Sequence, residues 1–112
     1  MKVLIVECGK QPYEAEIENT LKAKQEIVGG PIDVLEPWDD SAIIVLNDEA
    51  KNQGLKTNRI VGKVEIAGTF LVCGCNASGD MTSLTTEQSE IYRRMFNLLG
   101  DVLTNRTYEA LD

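Results

Sequence analysis

The chain has no histidine, only three prolines, and an aromatic set of one Trp, three Tyr and two Phe. Without His, the commonest general base and metal ligand near neutral pH is missing, and Ser–His or Cys–His activation of a nucleophile is excluded. No apolar run approaches the roughly twenty residues a membrane helix needs. The run Val3-Leu4-Ile5-Val6 is also too short for the core of a secretory signal. Positive charge is scarce: eleven Lys and Arg against eighteen Asp and Glu leave a net charge of -7. Such a surface disfavours duplex nucleic acid, which is bound by clustered cations that release counterions, and it repels anionic lipid head groups. The cysteines Cys8, Cys73 and Cys75 are odd in number and lack a secretory context, so they read as reduced thiols of a cytosolic protein.

What is present is ordinary for a globular domain. With 43% hydrophobic residues and 112 positions, the chain holds one domain, 1-112, with a core of about 1-99 and a C-terminal extension over 100-112. A domain of this size buries roughly two-thirds of its unfolded surface.

Val3 to Val6 is β-branched and apolar, closed by Gly9 and Pro12, and reads as a central strand. Asn19 is the expected cap of a helix carrying Leu21, Ile27 and Val28, stopped by Gly29-Gly30. Ile32 to Leu35 and Ala42 to Leu46 read as paired strands joined around Trp38-Asp39-Asp40. Asn47 to Arg59 is polar and without a period, a long loop or short helix, the kind of segment that tends to carry function. Val64 to Ile66 and Thr69 to Cys73 are strand-like, broken by Gly68, and the sheet is expected to end at the turn Gly74 to Asp80. Thr85 with Gln88 forms a capping box, followed by a stripe of Ile91, Tyr92, Met95, Phe96, Leu98 and Leu99. The expected fold class is therefore α+β: a mixed or antiparallel sheet of four to five strands with two packed helices, in the order β-α-β-β-loop-β-β-α.

Each chemical candidate has a plain alternative. Cys73-Gly74-Cys75 with Cys8 supplies three thiolates where structural zinc takes four ligands at wider spacing, so ordinary thiols are expected and no metal. Asp39-Asp40 and Asp48-Glu49 offer carboxylates for acid–base work, but adjacent carboxylates on polar segments are usually solvated turn residues. Gly74 to Asp80 lacks the Gly-Lys-Ser or Gly-Lys-Thr ending of a phosphate loop. No cofactor is expected. Asn58-Arg59 pairs an amide with a guanidinium that can fork onto phosphate or carboxylate; alternatively Arg59 pairs with Asp48 or Glu49 and Asn58 caps a turn. Tyr13 and Trp38 flank strand ends, where a ring either stacks on a ligand or seals the core.

Met1 to Glu7, Gly9-Lys10-Gln11-Pro12-Tyr13, Val28-Gly29-Gly30 and Glu36-Pro37-Trp38-Asp39-Asp40 together resemble an uncharacterised family of small domains from Gram-positive bacteria, their phages and mobile elements. The resemblance continues through Asn47-Asp48-Glu49-Ala50-Lys51, Gly54-Leu55, Asn58-Arg59, Ile66 to Phe70 and Ser83-Leu84-Thr85. It departs where Ile60 to Glu65 is shorter than usual and where Cys8 replaces a commoner proline. The family is a domain of unknown function, so the resemblance implies a setting, an accessory protein that counters host defence, and no activity.

The expectation drawn from these readings is a non-catalytic module in the host cytosol that binds a small polar ligand, a nucleotide-derived defence signal, and sequesters it. In it Asn47 and Glu49 accept ribose hydroxyls, Arg59 meets phosphate with the Asn58 amide beside it to read a base or ribose edge, Thr69 donates from a strand, and Trp38 or Tyr13 stacks. Two other classes remain open. One is a protein-interaction module docking through the last helix or a sheet edge; the other is a carboxylate-dependent enzyme. A homodimer is expected from the breadth of the last helix's stripe.

Overall fold

The computed structural model of the protein describes residues 1–98. Its elements in chain order are β1 (Lys2–Val6), β2 (Tyr13–Glu16), α1 (Leu21–Val28), β3 (Ile32–Leu35), β4 (Ala42–Asn47), β5 (Thr57–Val61), β6 (Val64–Ala67), β7 (Phe70–Cys75), β8 (Met81–Thr82) and α2 (Thr86–Met95). The fold is α+β, built on an antiparallel sheet in the order β2-β1-β7-β4-β3, with β8 folded back onto β7. Strands β5 and β6 form a separate hairpin.

β1, β4 and β7 are apolar at nearly every position because they are buried on both faces. Leu4, Val6, Ile44, Phe70 and Val72 point to one side, where Tyr92 of α2, Phe96 just past its end, and Val61 and Ile66 of the hairpin cover them. Val3, Ile5, Ile43, Val45, Leu71 and Cys73 point to the other, which α1 covers with the half-buried Ile27. Each fully buried aliphatic or aromatic side chain contributes about 1.5–3 kcal/mol. The first face also holds the aromatic contacts, with Phe70 edge-on to Phe96 at 5.3 Å and Trp38 against Tyr92 at 4.1 Å between ring centroids.

Several boundaries differ from the sequence expectation. Thr20, not Asn19, caps α1: its hydroxyl accepts from the Ala23 N–H at 3.1 Å. Asn19 instead donates to the Met81 carbonyl at 2.9 Å and accepts the Lys24 ammonium at 2.7 Å. β2 had no sequence signal because it is an exposed edge strand with Ala15 its only half-buried residue. The segment from Asn47 to Arg59 divides into a tight turn and strand β5. Gln53 N–H bonds the Glu49 carbonyl at 2.9 Å and Leu55 N–H the Ala50 carbonyl at 3.0 Å.

The sheet does not end at Gly74 to Asp80. The Asn76 side chain accepts from the Ser78 and Asp80 amides at 3.0 and 2.9 Å, and that turn brings β8 back beside β7. The capping box of α2 is present, with Thr85 and Gln88 exchanging bonds at 3.0 Å. The helix stripe is narrower than expected: Tyr92 and Phe96 are buried, Met95 is half-buried, Ile91 is 50% exposed and Leu98 lies past the helix end. Leu99 and the extension 100-112 lie outside the described residues. Among the described residues no helix is long and apolar enough to cross a membrane.

Candidate functional site

The most polar pair in the chain's interior is Asn58-Arg59. A register shift in β5 between Thr57 and Arg59 places both side chains inward, so they are 1% and 0% exposed. The Arg59 Nε and Nη2 donate to the Phe96 carbonyl at the end of α2, at 3.1 and 2.9 Å, and Nη2 also reaches the Lys10 carbonyl at 2.9 Å. Its Nη1 donates to the backbone and side-chain oxygens of Asn58 at 3.1 and 2.6 Å. Asn58 in turn donates to the carbonyls of Val6 and Gly68 at 2.8 and 2.9 Å. Burying a guanidinium costs several kcal/mol, which these carbonyls and the negative end of the α2 dipole offset.

Neither sequence reading of this pair matches its surroundings. The bonds just described join Arg59 to carbonyls, not to Asp48 or Glu49, and Asn58 ties three segments together where a turn cap was weighed. The donors expected to meet phosphate are turned inward. Their effect is mechanical: they fasten the β5–β6 hairpin to β1, to the β1–β2 connection and to α2.

The hairpin so held overhangs the β3–β4 end of the sheet and leaves a cleft of about 420 Å³. Three stretches of chain converge on it. Asp33, Leu35 and Leu46 form the floor, Val64, Glu65 and Ala67 one wall, and Asn47, Asp48, Ala50, Lys51 and Asn52 the end. Two glycines fit the turn into place. A Cβ at Gly30 would lie 2.6 Å from the Asn47 side-chain oxygen, and one at Gly68, where φ is +74°, would lie 2.8 Å from Leu55. Asn47 is buried and fixed: it donates to the Val28 carbonyl at 3.2 Å and to Gln53 at 2.9 Å, and accepts from the Glu49 amide at 2.9 Å.

The expected site residues do not gather around one ligand position. Only Asn47 lines this cleft. Glu49 is exposed on the turn, and Thr69 is half-buried at the junction of β6 and β7. Trp38 stacks on Tyr92 beneath a smaller hollow of about 270 Å³ that it shares with Asp39 and Ser41. Tyr13 stands on β2, at the opposite edge of the sheet from β3, and donates to Glu7 at 2.6 Å. That bond holds the Glu7 carboxyl below its ordinary range.

The acid–base candidates are divided as well. Asp40 accepts from the Tyr92 hydroxyl and from the Ala42 amide at 3.1 Å, while Asp39 faces the small hollow. Burial, then the bond to Asp40, pushes the Tyr92 hydroxyl well above the usual tyrosine range. The Cys73 thiol is pushed up to about 11 by burial, which makes it a poor nucleophile. Among the described residues, no three Cys, Asp or Glu side chains are grouped to hold a metal ion.

Another concavity, about 540 Å³, lies against α1 between Ile17, Glu18, Thr20 and the helix positions Lys22, Ala23, Glu26 and Ile27. It is walled by one helix and its leader. The cleft beside the hairpin draws on three separate stretches, 33–35, 46–52 and 64–67, the arrangement expected of a ligand site. Asp33, Leu35, Leu46, Val64 and Glu65 went unnoticed in the sequence because the cleft exists only once the hairpin folds over β3 and β4. The turn Asp48 to Lys51 was legible as a candidate. A family model described as "Domain of unknown function (DUF3846)" matches residues 1–97. No curated protein and no solved structure matches the chain.

Proposed function

The chain belongs to the DUF3846 family, a domain of unknown function, and from that premise we propose that it is a non-catalytic protein that binds a small ligand in the cleft between β3–β4 and the β5–β6 hairpin. The observation that carries this reading is the convergence of an apolar floor, Leu35 and Leu46, with a polar rim, on a hairpin that a fully buried arginine locks in position. A pre-formed hollow of 300–1,000 Å³ with few polar groups around an apolar base is the usual form of such a site. Binding without turnover is favoured because Asp40 is engaged by Tyr92 and the Ala42 amide away from the cleft, and of Asp48-Glu49 only Asp48 lines it.

A protein of this kind acts by sequestration, and in a phage or mobile element its ligand would be a host signal. The phosphate of a nucleotide-derived ligand is poorly matched to this cleft, since Lys51 is the single cation on a lining that carries Asp33, Asp48 and Glu65. Native mass spectrometry of the protein purified from a bacterial host with a nucleotide-signalling defence system tests the reading. A retained small molecule, lost on Leu46→Asp substitution, is the expected result. A bare chain, or a co-purified polypeptide in place of a small molecule, counts against it.

A docking role through the sheet edge has less support. Pro31 and Pro37 flank β3, and the Asp33 carboxylate takes the Val34 amide at 2.8 Å, features that blunt an edge against a further strand.

A further inference from the structure

The cleft continues beyond the hollow just described. Leu35 and Val64 are shared with an adjoining recess of about 170 Å³ lined by Glu36, Pro37 and Val61. Strand registers set the direction of the groove: Ala67 lies opposite Thr57 at the turn end, and Val64 lies opposite Val61 at the far end. The apolar floor thus runs from Leu46 and Ala50 past Leu35 and Val64 to Pro37 and Val61. Carboxylates of Asp33, Asp48 and Glu65 stand along the inner part, against one ammonium, Lys51. None of the three forms an ion pair among the described residues.

We infer that the occupant is a small amphiphilic cation, an aliphatic amine or guanidine whose stem lies on Leu35, Leu46 and Val64 and whose charged head pairs with a carboxylate of the lining, Asp33, Asp48 or Glu65. Charge complementarity selects it. An anion entering the groove meets three carboxylates for one ammonium, whereas a cation gains charge-assisted hydrogen bonds to carboxylates that have no ion-pair partner among the described residues. The elongated apolar floor selects an alkyl stem, which packs there as the methylenes of a lysine pack along apolar surface. The inference rests on the reading that this cleft is the binding site.

Titration of the protein with n-hexylammonium, n-hexylguanidinium, n-hexanoate, n-hexanol and adenosine monophosphate, followed by amide NMR and calorimetry, tests it. The two cations are expected to shift amides of Leu46, Asp48, Lys51, Val64 and Glu65 and to bind more tightly than the alcohol, with the carboxylate weakest. The double substitution Asp48→Asn with Glu65→Gln weakens the cations about tenfold and leaves the alcohol unchanged, while Lys51→Gln tightens them about threefold. These positions are on the exposed rim, so the variants fold. Shifts at the same amides caused equally by hexanoate or hexanol, or tighter binding of the nucleotide, overturn the cationic class and leave the cleft reading standing. If no probe of any charge shifts these amides, both fail.

Discussion

The stretches Asn47-Asp48-Glu49 and Thr57-Asn58-Arg59 are alike on paper: short, polar, each with an amide beside charge. In the folded protein they part. Asp48 and Glu49 sit in water at the rim of a cleft, while Asn58 and Arg59 are sealed inside with their donors on carbonyls. The difference lies in secondary structure. A turn exposes its side chains, whereas a strand with a register shift turns two successive residues to the same side. A polar residue's role therefore depends on what the chain around it becomes, and the buried pair supports the wall that makes the exposed one useful.

Arg59→Met breaks the comparison most severely. It removes the guanidinium that the Phe96 carbonyl accepts from in the interior and the Lys10 carbonyl at its half-buried edge, and a loss of roughly 3–5 kcal/mol is expected, a large share of a small domain's stability. Urea denaturation measures it; a loss under about 1 kcal/mol would mean the pair is not a support.

Asn58→Ala is expected to cost about 1–3 kcal/mol by removing the buried amide that donates to the Val6 and Gly68 carbonyls, read from the same urea curves.

The other face supplies a comparison by pH. Cys73 keeps its proton in the folded state up to about 11, against an ordinary 9.0, so between those values the unfolded chain binds fewer protons than the native one. Stability therefore falls as pH rises through that window, by at most roughly 3 kcal/mol for a two-unit shift. Cys73→Ala flattens the fall between pH 9 and 10. Above 10 the raised Tyr92 hydroxyl continues the decline in both proteins, because it too resists ionisation only when folded. A curve of unchanged slope in the variant contradicts the assignment.

Asp48→Asn sharpens the contrast at the rim. Its effect on stability is expected within about 0.5 kcal/mol, the ordinary range for an exposed position, while the affinity for a cationic probe changes.

Much of the architecture was legible. The two-sided apolar runs of β1, β4 and β7, and the Thr85–Gln88 box opening α2, follow from period and capping chemistry alone. β2 was silent because an exposed edge strand needs no apolar alternation, and β5 because two inward polar residues imitate a loop. The site was legible only in its turn, Asn47 to Lys51. Asp33 and Glu65 are thirty-two positions apart, and only the hairpin's fold over β3 makes them neighbours of one cleft.

The most direct test of the central claim is an amide chemical-shift map of the intact protein with n-hexylammonium as the probe. The account predicts shifts confined to residues 33–35, 46–52 and 64–67, with Asn58 and Arg59 still protected from hydrogen exchange. Shifts centred on Tyr13, Trp38 or α2 instead, or fast exchange at Asn58 and Arg59, would contradict it.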